Sequence, residues 1–206
     1  MSIPPIALLI RHAHTDASDL QLAGRTPAIH LSQRGTIELQ RVRDQLVTVP
    51  LEAVYSSPLA RARDTAEPVA TDHGLGVDVE DDLNEVDFGD WTGATFAALG
   101  PDPRWHAFNA HRSTAIVPNG ERPADVQRRA VMLLTRLAAR HPHGNIALVS
   151  HAEVIRSAVL WFAGRSLDDF HQVAIDTASV TAILMSSTPR VLFVNAVDGC
   201  DAIARY

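Results

Sequence analysis

An α/β sandwich with helices on both faces of a mainly parallel sheet follows from three features of this 206-residue chain. Short runs rich in Val, Ile and Leu alternate with longer stretches of helical periodicity. The apolar runs are continuous rather than alternating, as in strands covered on both faces. Polar residues stand immediately after three of those runs, where open α/β sheets bind ligands.

The elements can be taken in order. Ile6–Ile10 is the first strand. Ser32 is placed to cap a helix in which Leu39, Val42, Leu46 and Val49 recur at helical spacing. Ala53–Tyr55 is a second strand, and Ser57-Pro58 opens a helix over Leu59–Ala70. Val77–Val79 is a weaker strand candidate, and an irregular middle follows it. Ala130, Leu134, Leu137 and Ala138 mark one face of a long helix from about Glu121 to Arg140. Ile146–Val149 is a strand, and Val154–Phe162 is a short apolar helix ending at Gly164. Val180–Met185 and Val191–Val194 close the order. A hairpin through Ser186–Pro189 would make this three-layer α/β fold's central sheet mixed.

The bulk numbers bound the function. The length suits one domain over residues 1–206. A net charge of −6 argues against nucleic acid or an anionic membrane as a partner. No apolar run approaches the ~18 residues that cross a bilayer. The opening residues lack a basic n-region and read as a strand rather than a signal peptide. Cys200 is the single cysteine, so no intramolecular disulfide calls for an oxidising compartment, and a cytoplasmic location is expected.

Within this acidic chain, polar and basic groups sit at strand ends. Arg11-His12 follows the first strand, Ser56-Ser57 the second, and Ser150-His151 the strand before the Val154 helix. An imidazole with one nitrogen unprotonated can attack phosphorus, and a guanidinium gives bidentate contacts to phosphate oxygens. Arg61 falls in the first turn of a helix, where free N–H groups already favour anions. Arg63, two positions on, points elsewhere and reads as a surface residue. In Leu83–Gly93 acidic residues are interleaved with Leu83, Phe88 and Trp91. That pattern implies partial burial, and a carboxyl beside an apolar wall can serve as a general acid.

These four segments, in this order, resemble the histidine phosphatase superfamily, also called the phosphoglycerate mutase-like family. Residues 9–15 match its Leu-x-Arg-His-Gly-x-Thr motif with one change, and Ser57–Ala66 matches Ser-x-Leu-x-Arg-Ala-x-x-Thr-Ala. Leu83–Gly93 matches Leu-x-Glu-x-x-Phe-Gly-x-Trp-x-Gly, and Ser150–Arg156 matches Ser-His-Gly-Gly-x-Ile-Arg with two changes. The resemblance implies that His12 is a nucleophile that becomes phosphohistidine. It implies that Arg11, Arg61 and His151 complete the phosphate pocket, and that Glu85 is the proton donor to the leaving oxygen. Arg25 falls at a position for a substrate- or phosphate-facing arginine. Thr15 would fix the first loop by hydrogen bonding, His14 would line the substrate mouth, and Ala152 would face the phosphate. The departures are Ala13 for Gly, Ser18 for an Asn that contacts phosphate in many members, and Ala152-Glu153 for Gly-Gly. Glu153 brings a negative charge toward an anion site unless it points away.

The expected activity is hydrolysis of a small phosphorylated metabolite through phosphohistidine, with no cofactor and no metal. The expected partner is that substrate, with a homodimer left open. A phosphoglycerate mutase is the alternative; it would need a closed lid, and the dozen residues after Val194 offer no obvious closing tail. A metal hydrolase built on His12-x-His14 is less favoured, because Arg11 and Arg61 would repel a cation. A noncatalytic phosphate-binding module would predict loss of His12, Glu85 or an arginine. A cap or specificity insertion is expected at about residues 93–119. There Trp105 and Phe108 read as core packing of a short helix. Alternatively Arg104, Trp105, His106, His111 and Arg112 line a pocket for an acidic organic phosphate.

Overall fold

The structure is a computed structural model that describes residues 4–197. Cys200, and most of the tail on which the case against a mutase rests, lie outside the described residues. The elements are β1 (Ile6–Arg11), α1 (Gln33–Leu46), β2 (Leu51–Ser56), α2 (Ala60–Asp72), β3 (Val77–Val79), α3 (Phe96–Leu99), α4 (Pro103–Ala110), α5 (Pro123–Arg140), β4 (Asn145–Ser150), α6 (Ala152–Phe162), β5 (Val180–Leu184) and β6 (Arg190–Ala196). The middle of the chain is more regular than expected. Val77–Val79 joins the sheet, and α3 and α4 fall within the stretch where an insertion is expected.

One six-stranded sheet runs in the order β3-β2-β4-β1-β5-β6. The β3-β2, β2-β4 and β4-β1 pairs are parallel. β5 is antiparallel to both β1 and β6, so the terminal hairpin makes the sheet mixed.

Period-two alternation along β1 divides two cores. Ile6, Leu8 and Ile10 face Leu39, Val42 and Leu46 of α1 and Ala62, Ala66 and Val69 of α2. Ala7 and Leu9 face the other way, toward the α5 and α6 layer that includes Leu134, Leu137, Val154 and Ala158. Both faces of β1 are therefore dry, which is why its sequence shows no polar alternation. Each fully buried Leu or Ile contributes about 1.5–3 kcal/mol relative to exposure.

The start of α1 is fixed by its cap. The Ser32 hydroxyl accepts from the Gly35 amide at 3.1 Å and bonds the His14 carbonyl at 3.3 Å, tying α1 to the loop after β1. A Cβ at Gly35 would lie 2.1 Å from the His14 carbonyl oxygen, so this approach requires glycine. The sheet aligns the functional strand ends: Arg11 pairs with Ser150, and Ser56 with Val149.

Candidate active site

The three parallel strand ends carry side chains onto one rim. His12 follows β1, and its amide donates to the Ser150 carbonyl at 2.9 Å. His151 follows β4 as the residue before α6. Arg61 is the second residue of α2 and is 2% exposed. The rings of His12 and His151 lie 5.2 Å apart at 60°. A cavity of about 160 Å³ opens here, bounded by Arg11, His12, Arg61 and Glu85, with Ala152 and Glu153 at the start of α6.

Arg11, Arg61 and His12 are held by backbone carbonyls. Arg11 donates to the Ile175 carbonyl at 2.7 Å, and Arg61 to the Gly24 carbonyl at 2.7 Å. His12 Nδ1 lies 2.8 Å from the Ala13 carbonyl oxygen. A carbonyl can only accept, so Nδ1 carries the proton and Nε2 keeps its lone pair. Burial, then the charges of Arg61 and Arg11, hold His12 well below the usual imidazole pKa. His151 is lowered in the same way by burial and Arg61. Its Nε2 meets the Ser57 hydroxyl at 2.8 Å, while its Nδ1 is buried with no hydrogen-bond partner among the described residues.

Glu85 is set into the cavity wall by a different network. Its Oε1 accepts from the Val86 amide at 2.9 Å. Its main-chain carbonyl accepts from Arg25 at 2.8 Å and from Arg129 at 3.3 Å. Glu121 receives both of those arginines, with contacts of 2.9 and 2.8 Å. Burial and the facing charge of Glu153 raise the Glu85 pKa to about 7. The carboxyl is therefore poised before any phosphate arrives. A group that holds a proton near neutrality and an imidazole that does not share one cavity.

Several predicted residues sit elsewhere. Arg25 does not line the cavity; it braces the Glu85 backbone through its pair with Glu121. His14 is likewise outside the lining, with Nδ1 on the Ser32 hydroxyl at 2.8 Å and its amide on Glu38. Among the described residues, no three His, Cys, Asp or Glu side chains gather as a metal group. Thr15 bonds Ser18 at 3.1 Å through both its amide and its hydroxyl, and both residues border the cavity. Ala13 is fully buried, and its amide donates to the Thr65 hydroxyl at 3.1 Å.

The insertion does not offer basic side chains to the cavity. Trp105 and Phe108 stack at 5.4 Å and join Trp91 in an aromatic cluster, so this helix packs into the core. Arg112 is buried between the faces of Phe108 and Phe170, at 3.9 and 3.8 Å, and pairs with Glu153. Arg104 is held at 2.8 Å by Asp102, while His106 and His111 are exposed and outside the lining. Ser57, Glu121, Arg129 and the Arg112–Glu153 pair were not foreseen. Only Ser57 carried a signal, as the first residue of its motif.

Two guanidinium groups, an imidazole and a carboxyl whose pKa is raised to about 7 line one small cavity, with the ring of His151 behind the lining at 5.2 Å from His12, a set suited to phosphoryl chemistry. The chain belongs to the histidine phosphatase superfamily (branch 1), whose sequence model matches residues 7–195. It is 31% identical over 180 residues to the bifunctional protein Rv2228c of Mycobacterium tuberculosis, matching over 86% of this chain and 50% of that protein. It thus spans about half the length of that relative. It is 30% identical over 178 residues to the adenosylcobalamin/alpha-ribazole phosphatase of Escherichia coli, covering 85% of this chain and 87% of that one. The mycobacterial glucosyl-3-phosphoglycerate phosphatase Rv2419c, solved with VO3, superposes with a TM-score of 0.83 at 26% identity. That match covers 93% of this chain and 99% of the other.

Proposed function

We propose that the protein hydrolyses a small phosphomonoester in two steps through a phosphohistidine on His12. The observation that carries this is the pairing of His12, its lone pair on Nε2, with Glu85, its pKa raised to about 7, across the same cavity. In the first step Nε2 attacks phosphorus and the ester P–O bond breaks. Arg11 and Arg61 take the phosphoryl oxygens, and the unpartnered Nδ1 of His151 is a further contact for them. Glu85 gives its proton to the leaving oxygen, so the alcohol departs neutral. In the second step water attacks phosphorus, Glu85 takes back a proton, and His12 is released as the neutral ring.

The chemistry needs only a small phosphorylated substrate as partner. No helix among the described residues is long and apolar enough to cross a membrane. A cytoplasmic site of action agrees with a chain whose single cysteine gives it no disulfide to maintain. The test is a rapid quench with a 32P-labelled ester. Acid-labile, base-stable label is expected on His12 and must disappear in His12→Ala. Label on another residue, or turnover without a labelled enzyme, would overturn the mechanism.

A further inference from the structure

We propose that the preferred substrate is a phosphate ester whose alcohol carries an amine-type cation rather than a carboxylate, selected by Glu153 and Asp19. The inference rests on the phosphatase reading above and concerns the half of the cavity that the leaving group would occupy.

Among the described residues the lining holds two permanent cations, Arg11 and Arg61, and both flank His12. They are committed to the phosphoryl group. Elsewhere the wall presents the carboxylates of Asp19 and Glu153 and the rings of Phe88 and Phe96. The basic residues of the insertion do not line the cavity: Arg104 is turned onto Asp102, and Arg112, buried between two rings, is paired with Glu153 from behind. Arg112 and Arg156 pair with Glu153 and offset part of its charge, but neither belongs to the lining, so a ligand in the cavity touches the carboxylate and not its partners. Its field reaches across the site, since after burial it is the facing charge that raises the pKa of Glu85.

A phosphocarboxylate entering this cavity would set its second anion against two carboxylates with no further cation in the lining to receive it. An ammonium group would meet those same carboxylates, and the aromatic faces would add a cation–π contact. A phosphorylated polyol lies between, able to donate hydrogen bonds but carrying no charge. Position 153 is also where this chain departs from the Gly-Gly of the matching motif, so the selecting carboxylate is a feature of this sequence.

The experiment compares kcat/KM for phosphoethanolamine, glycerol 3-phosphate and 3-phosphoglycerate, whose leaving groups are all alkyl alcohols, with an aryl phosphate as control. One charge contact in a half-exposed site is worth about tenfold. The wild type should prefer phosphoethanolamine to 3-phosphoglycerate by that factor or more, with glycerol 3-phosphate between them. Glu153→Gln and Asp19→Asn should each lower the ratio of phosphoethanolamine to glycerol 3-phosphate several-fold. Asp19 is exposed, so its variant decides the matter if Glu153→Gln fails to fold. Turnover of 3-phosphoglycerate equal to or better than phosphoethanolamine would overturn the inference and leave the phosphatase reading intact. So would an unchanged ratio in the variants, or aryl turnover with none of the alkyl esters hydrolysed. Inactivity toward every ester, the aryl phosphate included, would overturn both.

Discussion

The Nδ1 of His12 lies 2.8 Å from the carbonyl oxygen of the next residue, Ala13. One local bond therefore fixes the tautomer of the proposed nucleophile, and burial with two guanidinium neighbours keeps the ring uncharged. His12→Ala should lower aryl phosphate hydrolysis by several orders of magnitude with the fold retained. Retention of a tenth of the rate, under about 1.4 kcal/mol of barrier, would show that His12 is not the nucleophile. In the wild type, ring NMR should find His12 still neutral at pH 6.

Arg61 reaches the Gly24 carbonyl from the first turn of α2 while facing the cavity. A lysine keeps the charge but loses the planar fork. Arg61→Lys should cut kcat/KM by about 10²-fold, the scale for a lost preorganised donor. A circular dichroism melt within a few degrees of wild type would separate this from unfolding. A loss under threefold would remove Arg61 from the phosphate pocket.

Activity should survive exhaustive EDTA treatment. His12 is turned onto a backbone carbonyl and His14 onto Ser32, so their rings do not converge. Vanadate, which adopts the trigonal-bipyramidal geometry of phosphoryl transfer, should inhibit competitively. Loss of activity on chelation, restored by zinc or manganese, would revive a metal mechanism.

Which parts were legible in the sequence depended on how local the cause was. β1, β4 and β5 are buried on both faces, so their apolar runs stand out against polar flanks. The cap at Ser32 and the entry at Ser57-Pro58 are set by nearest neighbours. Partial burial of the acidic Leu83–Gly93 segment could be read from its apolar neighbours, while Glu85 itself was singled out by the resemblance to the family motif. Its bracing was hidden, because Arg25, Glu121 and Arg129 meet behind it only after the chain folds. The same holds for Arg112, whose burial depends on Phe170, 58 positions further along by residue number. Arg25 shows a related limit: a motif position says that an arginine is near the site but not which acid claims it.

Gly89 belongs to the Leu83–Gly93 segment that carries Glu85, and its φ is +47°. A Cβ there would lie 2.1 Å from the Pro118 carbonyl oxygen, backbone that cannot yield cheaply. The Asp90 amide donates to that same oxygen at 3.0 Å. Gly89→Ala should cost about 3 kcal/mol or more, from left-handed strain together with overpacking. Urea unfolding measures it, and a change below about 1 kcal/mol would mean that the contact relaxes freely.

Glu85 ties activity and stability to pH in opposite ways. Its folded pKa of about 7 lies above the ordinary carboxyl value, so the native state binds the extra proton between the two. Stability on its account is full below the unfolded value near ~4.3 and falls as pH rises toward 7. Glu85→Gln removes that loss. The variant should gain up to about 3 kcal/mol over wild type at pH 8 and little at pH 4, read as the difference between urea midpoints at the two pH values. Catalysis should move the other way. The active form needs neutral His12 and protonated Glu85, so kcat/KM should peak at mildly acidic pH with an alkaline limb near 7. Glu85→Gln should lose that limb. It should also slow alkyl phosphates by about 10²-fold or more and aryl phosphates much less, because nitrophenolate leaves without a proton. Equal losses on both esters would show that Glu85 is not the acid. Attention would then turn to Glu153 in the cavity wall, since the Asp87 carboxylate caps the Gly89 amide at 2.9 Å.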